Sequence, residues 1–303
     1  MKKIIITGAT SFIGLNMIKR FLDDGYFVYA VVRPDPSKYK QLPKSSHLKI
    51  IELEMQDYAQ LDKKINDSCD VYFSLAWNGT RGAQRDDRDL QESNYKYSIK
   101  ALEAASRLGC RLIFSAGSQA EYGLCTDYVS EFDLSNPVTW YGKYKLKYYE
   151  DAFSFCEHRS IDFKEPRFFS LYGANDFNGT MILDILRKML NDEPCDLTEC
   201  IQMWDFLHID DAIDGLKLLM EKPCENGIYN FGSGICRPLR DFIEFMYDLS
   251  GSKSKLNFGV IPYPSTGMVN VMPDIKKLRK EVGFIPKVDF SDGIKQIISS
   301  MRG

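Results

Sequence analysis

The chain has 303 residues, 44% of them hydrophobic and 27% charged, with a formal net charge of -3. That is an ordinary soluble globular composition, long enough for one or two domains, and with no basic block it argues against a nucleic-acid partner. Eight cysteines without C-x-x-C spacing and only three histidines (His47, His158, His208) argue against a metal site and fit dispersed cytosolic thiols.

From the N-terminus, Ile4–Thr7 is a β-branched apolar run, the pattern of a strand buried on both faces. That run is too short for a signal peptide, and no later stretch approaches a membrane span, so a cytoplasmic location is expected. Ile13, Met17, Ile18, Phe21 and Leu22 fall at helical spacing before Gly25. Further strands are predicted at Phe27–Val32, His47–Leu53, Val71–Ala76 and Arg111–Ser115. Helical segments are predicted around Leu61 and Ile65 and over Leu90–Leu108. This β-α-β-α order implies a doubly wound parallel sheet with right-handed crossovers, a Rossmann-type α/β domain that binds its ligands at the carboxyl ends of the strands.

Beyond about residue 170 the pattern loosens. Met181–Leu190 and Asp210–Met220 read as helices and Gly227–Phe231 as a strand. Ala174–Gly179 and Glu193–Glu199 read as loops, and Pro262, Pro264 and Pro273 mark a loop-rich region. The expected division is a dinucleotide-binding domain over 1–170 and a smaller substrate lobe over 171–303, with segments between about 200 and 231 returning to the first domain.

Thr7-Gly8-Ala9-Thr10-Ser11-Phe12-Ile13-Gly14 joins the first strand to the first helix. A glycine-rich turn there brings backbone N–H groups to a pyrophosphate, and the helix N-terminus adds its dipole. Gly8, Thr10, Ser11, Phe12, Ile13 and Gly14 are therefore candidate cofactor contacts, with Ser11 where the middle glycine usually stands. At the end of the second strand a carboxylate would suit the ribose of NAD. Arg33 stands there instead and favours the 2′-phosphate of NADP, while the neighbouring Asp35 keeps NAD open.

Tyr141 and Lys145 are four apart, so a helix sets them on one face. A nearby ammonium would lower the phenol's pKa towards that of a useful general acid/base. The strand preceding them ends in Ser115-Ala116-Gly117-Ser118, which offers a hydroxyl to a reacting C–O group.

In these motifs the chain resembles extended short-chain dehydrogenase/reductases of the NAD-dependent epimerase/dehydratase family, over nearly its whole length. The resemblance implies an enzyme acting on a nucleotide-linked sugar. It places Ser118, Tyr141, Lys145 and Asn94 in the active site. It places Glu54, Met55, Leu75, Ala76 and Phe168 beside the cofactor, the last within Pro166-Arg167-Phe168-Phe169-Ser170-Leu171-Tyr172-Gly173. Trp204–Asp211 and Tyr229–Gly234 also match family segments. Gln119 and Ala120 replace the acidic pair of the family's dehydratases, which argues against dehydration. Ser170 and Trp204 replace the asparagine and arginine that often meet substrate. With Gln119, Ser118 and Arg237, they form the candidate substrate set.

Reduction of a 4-keto(-6-deoxy) sugar nucleotide with NADPH is the leading expectation. A 4-epimerase that retains its cofactor is the alternative, and a non-catalytic NADP(H) sensor is the reading from another class. The resemblance also implies a homodimer built on helices 90–108 and 141–157.

Overall fold

The structure is a computed structural model that describes residues 1–173, 176–263 and 268–302, apart from the side chain of Lys38. Ala174 and Pro264, part of the predicted loops, lie outside the described residues.

In chain order, the first half runs β1 (Lys3–Thr7), α1 (Phe12–Asp23), β2 (Phe27–Val32), α2 (Pro36–Tyr39), β3 (Leu48–Glu52), α3 (Leu61–Lys64), β4 (Val71–Ser74), α4 (Arg88–Arg107), β5 (Leu112–Ser115), β6 (Gly117–Ser118), α5 (Trp140–Glu157) and β7 (Asp162–Phe168). The second half runs β8 (Leu171–Tyr172), α6 (Met181–Leu190), β9 (Cys195–Asp196), β10 (Met203–Trp204), β11 (Leu207–His208), α7 (Ile209–Glu221), β12 (Gly227–Phe231), β13 (Arg237–Pro238), α8 (Leu239–Ser250), β14 (Leu256–Asn257), α9 (Lys276–Val282) and α10 (Phe290–Arg302).

The main sheet has the order β12-β7-β5-β4-β1-β2-β3, with β6 beside β7. β1 pairs in parallel with β2 on one side and β4 on the other. The strand order therefore reverses between β1 and β4, and in such sheets that reversal opens a ligand crevice at the carboxyl ends. β7 carries Pro166, which lacks a ladder donor. Its register with β5 ends at Lys164 and with β6 starts at Arg167, so the proline falls in the gap between the two pairings.

The chain divides into two compact units. The first comprises Met1–Gly123, Asp133–Phe168 and Leu216–Tyr229; the second comprises Leu124–Phe132, Phe169–Gly215 and Asn230–Gly303. In the first, Phe73 stacks on Phe114 at 4.4 Å with Phe21 tilted against it, and β1 is apolar on both faces. In the second, α6, α8 and α10 pack their apolar sides around Phe206, Phe242 and Phe290, whose rings lie 4.8–5.6 Å apart.

Two sequence expectations are revised. The helix expected around Leu61 and Ile65 is a 3-10 segment over Met55–Gln60 followed by one α-turn, because Ile65 already has extended backbone. The loop-like Glu193–Glu199 contains β9, which pairs in parallel with β14.

Candidate active site

The cofactor cradle lies within the first unit, at the β1/β4 reversal. Gly8 has φ +68, and a Cβ there would come within 2.7 Å of the Ala76 backbone nitrogen. At Gly14 a Cβ would come within 2.4 Å of the Gly8 carbonyl oxygen, so the first turn of α1 closes only on glycine. Ser11 caps α1 by accepting the Gly14 N–H at 3.0 Å, which explains a serine where a glycine is usual. The tight turn leads straight into a helix N-terminus, and that suits a pyrophosphate. The residues present thus fit a dinucleotide.

Around this turn the other candidates take defined places. Leu75 and Met55 are buried, and Glu54 is exposed at the start of the 3-10 segment. Arg33 is exposed just past β2, and both Arg33 and Glu54 bear electrostatically on the buried Tyr58 hydroxyl. Asp35 is engaged locally, accepting the Ser37 N–H at 3.1 Å and its hydroxyl at 2.6 Å.

Ser118, Tyr141 and Lys145 come together in the same unit. Thr139 caps α5 by accepting the Gly142 N–H. A Cβ at Gly142 would lie 2.4 Å from the Ala120 carbonyl oxygen, so glycine lets the helix press against the segment that carries Ser118. Tyr141 is buried and hydrogen-bonded to Ser118. Lys145 is buried, donates to the Ala116 carbonyl at 2.8 Å, and lies 3.9 Å from the centre of the Trp77 ring. Trp77 also stands edge-on to Tyr141, and its indole N–H donates to Gln91 at 2.7 Å. The Arg85 guanidinium lies 5.0 Å over the Tyr141 ring.

Electrostatically, the site differs from the simple picture of a lysine acidifying a tyrosine. Burial dominates and raises the Tyr141 hydroxyl above its usual range, against the lowering effects of the Ser118 hydrogen bond and Arg85. The Lys145 ammonium is itself pushed down to about 8 by burial, with Glu121 and Glu165 pulling the other way.

Asn94 is buried and braces the loop after β4. Its side-chain oxygen accepts the Asn78 N–H and its amide donates to the Asn78 carbonyl, at 3.1 and 2.8 Å. Gln119 is half-buried beside Ser118, and Phe168 is the register partner of Ser118 across β6 and β7. Ser170, Trp204 and Arg237 belong to the second unit, where Trp204 and Arg237 face each other across β10 and β13. The Trp204 indole N–H is buried and finds no partner among the described residues.

Sequence reasoning passed over Trp77, Arg85, Glu121, Glu165 and Arg167. Only Glu121 left a local trace: Ser118-x-x-Glu121 has capping-box spacing, and both reciprocal contacts form. The others converge through the fold. Among the described residues no cluster of His, Cys, Asp and Glu could hold a metal ion, and no helix is long and apolar enough to cross a membrane.

The chain belongs to the NAD dependent epimerase/dehydratase family, whose model matches residues 4–232. It is 24% identical to CDP-abequose synthase of Salmonella muenchen, over 98% of this chain and 97% of that protein. It is 23% identical to an ADP-L-glycero-D-manno-heptose-6-epimerase of Nitratidesulfovibrio vulgaris, over 97% and 96%. Among solved structures, UDP-glucose 4-epimerase of Thermotoga maritima superposes with a TM-score of 0.88 at 19% identity, over 99% and 98% of the two chains. UDP-glucuronic acid 4-epimerase of Bacillus cereus, solved with NAD, superposes at 0.84 with 23% identity, over 99% and 96%.

Proposed function

We propose that this protein is an NAD(P)-dependent oxidoreductase of a nucleotide-linked sugar, and that its reaction is reduction of a 4-keto(-6-deoxy) sugar nucleotide. The observation that carries this reading is the convergence of Ser118, Tyr141 and Lys145 beside a dinucleotide cradle, all in one compact unit. The nicotinamide, when bound, supplies the hydride. Ser118 orients the substrate oxygen, and Tyr141 gives that oxygen its proton. Lys145, whose ammonium donates to the Ala116 carbonyl, would hold the nicotinamide ribose. Gln119, Ser170, Trp204 and Arg237 are the proposed substrate contacts. The buried Trp204 indole N–H, without a partner among the described residues, supports an acceptor of the substrate at that position.

A 4-epimerase is the second reading, favoured by the 4-epimerases among the similar structures. Arg33 supports NADP(H), whereas the Bacillus cereus complex holds NAD. A cytoplasmic homodimer through α4 and α5 completes the proposal.

The deciding experiment follows NADPH consumption over a panel of nucleotide-linked 4-keto-6-deoxy sugars. Stoichiometric loss is expected for one member, with a fall of about 10²–10⁴-fold in Tyr141→Phe. Interconversion of C4 isomers in a second panel, the corresponding 4-hydroxy nucleotide sugars, without net NADPH loss would replace the reductase by the epimerase. Neither activity with any member of either panel would overturn both.

A further inference from the structure

Beneath Ser118, Tyr141 and Lys145 lies a group of charges with no obvious place in hydride transfer. Glu121, Glu165 and Arg167 are each no more than 1% exposed. Arg167 lies 3.1 Å from a Glu121 oxygen and donates to Glu165 at 3.0 Å and to the Ser135 hydroxyl at 3.0 Å. Gly117 makes room for them, since a Cβ there would come within 2.7 Å of the Glu165 side chain and 2.9 Å of that of Arg167. Burial and the neighbouring Glu121 push the Glu165 carboxyl well above the usual carboxylate range, against the lowering effect of Arg167. The buried Lys145 ammonium is the second cation in this neighbourhood, and both carboxylates act on it.

Glu121 ties this cluster to the reacting groups. Its second oxygen accepts the Ser118 N–H at 2.7 Å, while the Ser118 hydroxyl accepts the Ala120 N–H, so one carboxylate fixes the backbone of the serine that hydrogen-bonds Tyr141.

We propose that Glu121 is a positioning residue that sets the pH window of the Tyr141–Lys145 pair: buried and anchored on Arg167, its carboxylate aims Ser118 through the serine backbone and sets a fixed negative charge beside it. The sign is the same for both partners. A fixed negative charge favours the protonated form of each, the ammonium and the neutral phenol. The charged groups acting on the pair are Glu121 itself and Glu165 from β7, with Arg85 from the 3-10 segment Gly82–Asp86 at Tyr141. Arg167, Tyr148 and Tyr149 face the carboxylates: Arg167 and Tyr149 act with both, and Tyr148 with Glu165. Of these, Glu121 heads the charge effects that keep Lys145 protonated against burial. Arg85 opposes it at Tyr141.

The inference rests on reading Tyr141 and Lys145 as the acid–base pair, and its test needs no substrate. Trp77 lies against the Lys145 ammonium, so in a Trp140→Phe/Trp204→Phe background its fluorescence reports that charge. The expected titration has a midpoint of about 8 and disappears in Lys145→Met. Glu121→Gln keeps an acceptor for the Ser118 N–H and loses the charge together with the oxygen that faces Arg167. It is expected to lower the midpoint by about one unit or more, and to move both limbs of the pH–rate profile in the acid direction. If Glu121→Gln does not fold, Glu165→Gln removes the other carboxylate and is expected to shift the midpoint the same way. No titration in the parent background, or a midpoint unmoved in the folded variants, overturns the proposal. A shifted midpoint in a protein that turns over no nucleotide sugar would leave this inference standing and remove the proposed reaction instead.

Discussion

At the scale of single residues, burial governs the chemistry. Lys145 has given up bulk water for one carbonyl, an indole face and two nearby carboxylates, and its affinity for a proton falls accordingly. The sign follows directly. From about 8 up to the ordinary lysine range, the unfolded chain binds a proton that the folded chain does not, so this group's penalty is relieved as pH rises through that window. Lys145→Met carries no such penalty, so its stability relative to the parent is expected to be highest below pH about 8 and to fall as pH rises from there through the ordinary lysine range, as read by paired denaturation curves. A gap independent of pH would mean that Lys145 is not buried as described. Arg33 acts through exposure instead, as a guanidinium at the rim of the cradle. Arg33→Asp is expected to weaken NADPH binding and improve NADH binding, measured as the ratio of the two dissociation constants.

At the scale of elements, glycine decides where the candidate catalytic groups meet. α5 can bring Tyr141 to Ser118 only because Gly142 has no Cβ to strike the Ala120 carbonyl. Gly142→Ala must push the helix away from backbone, which cannot yield as a flexible side chain would. A misplacement of about 1 Å can cost about 100-fold in rate, so kcat is expected to fall by that order while dinucleotide binding persists. Gly8→Val should do the reverse, removing dinucleotide binding because the branched side chain meets the Ala76 backbone at a positive φ. Much of this level was legible in the chain. β1, α1 and the intervening turn showed in a run of isoleucines, a helical apolar spacing and two glycines. Residues 55–65 were harder to read, because Leu61 and Ile65 imitate one helical face while the backbone leaves the helix at Ile65.

At the scale of the whole molecule, the fold collects residues that sequence keeps apart. Glu121 and Arg167 meet because β6 and β7 run side by side, and Gly117 and Ser118 pair with Arg167 and Phe168. Dinucleotide binding to the folded state alone should stabilise it by about 2.7 kcal/mol at a concentration 100 times the dissociation constant. A thermal-shift comparison of NADPH with NADH thus reads cofactor choice without a substrate, and a larger shift with NADH would overturn the NADP(H) preference. Light scattering is expected to give twice the chain mass, and a monomer would remove the proposed dimer through α4 and α5.

The amino-acid sequence by itself determined whatever depends on local spacing: the alternation of strands and helices, the phosphate turn, the pairing of Tyr141 with Lys145 on one helical face, and the capping relation of Ser118 with Glu121. Tertiary structure alone decided the charges around them. Whether a tyrosine hydroxyl is raised or lowered depends on how much water surrounds it and which ions lie nearby, and those ions arrive on different strands and loops. Arg85 over the Tyr141 ring, Trp77 beneath Lys145, and the Glu121–Arg167–Glu165 cluster exist only once the sheet is assembled, because separation along the chain carries no information about distance across it.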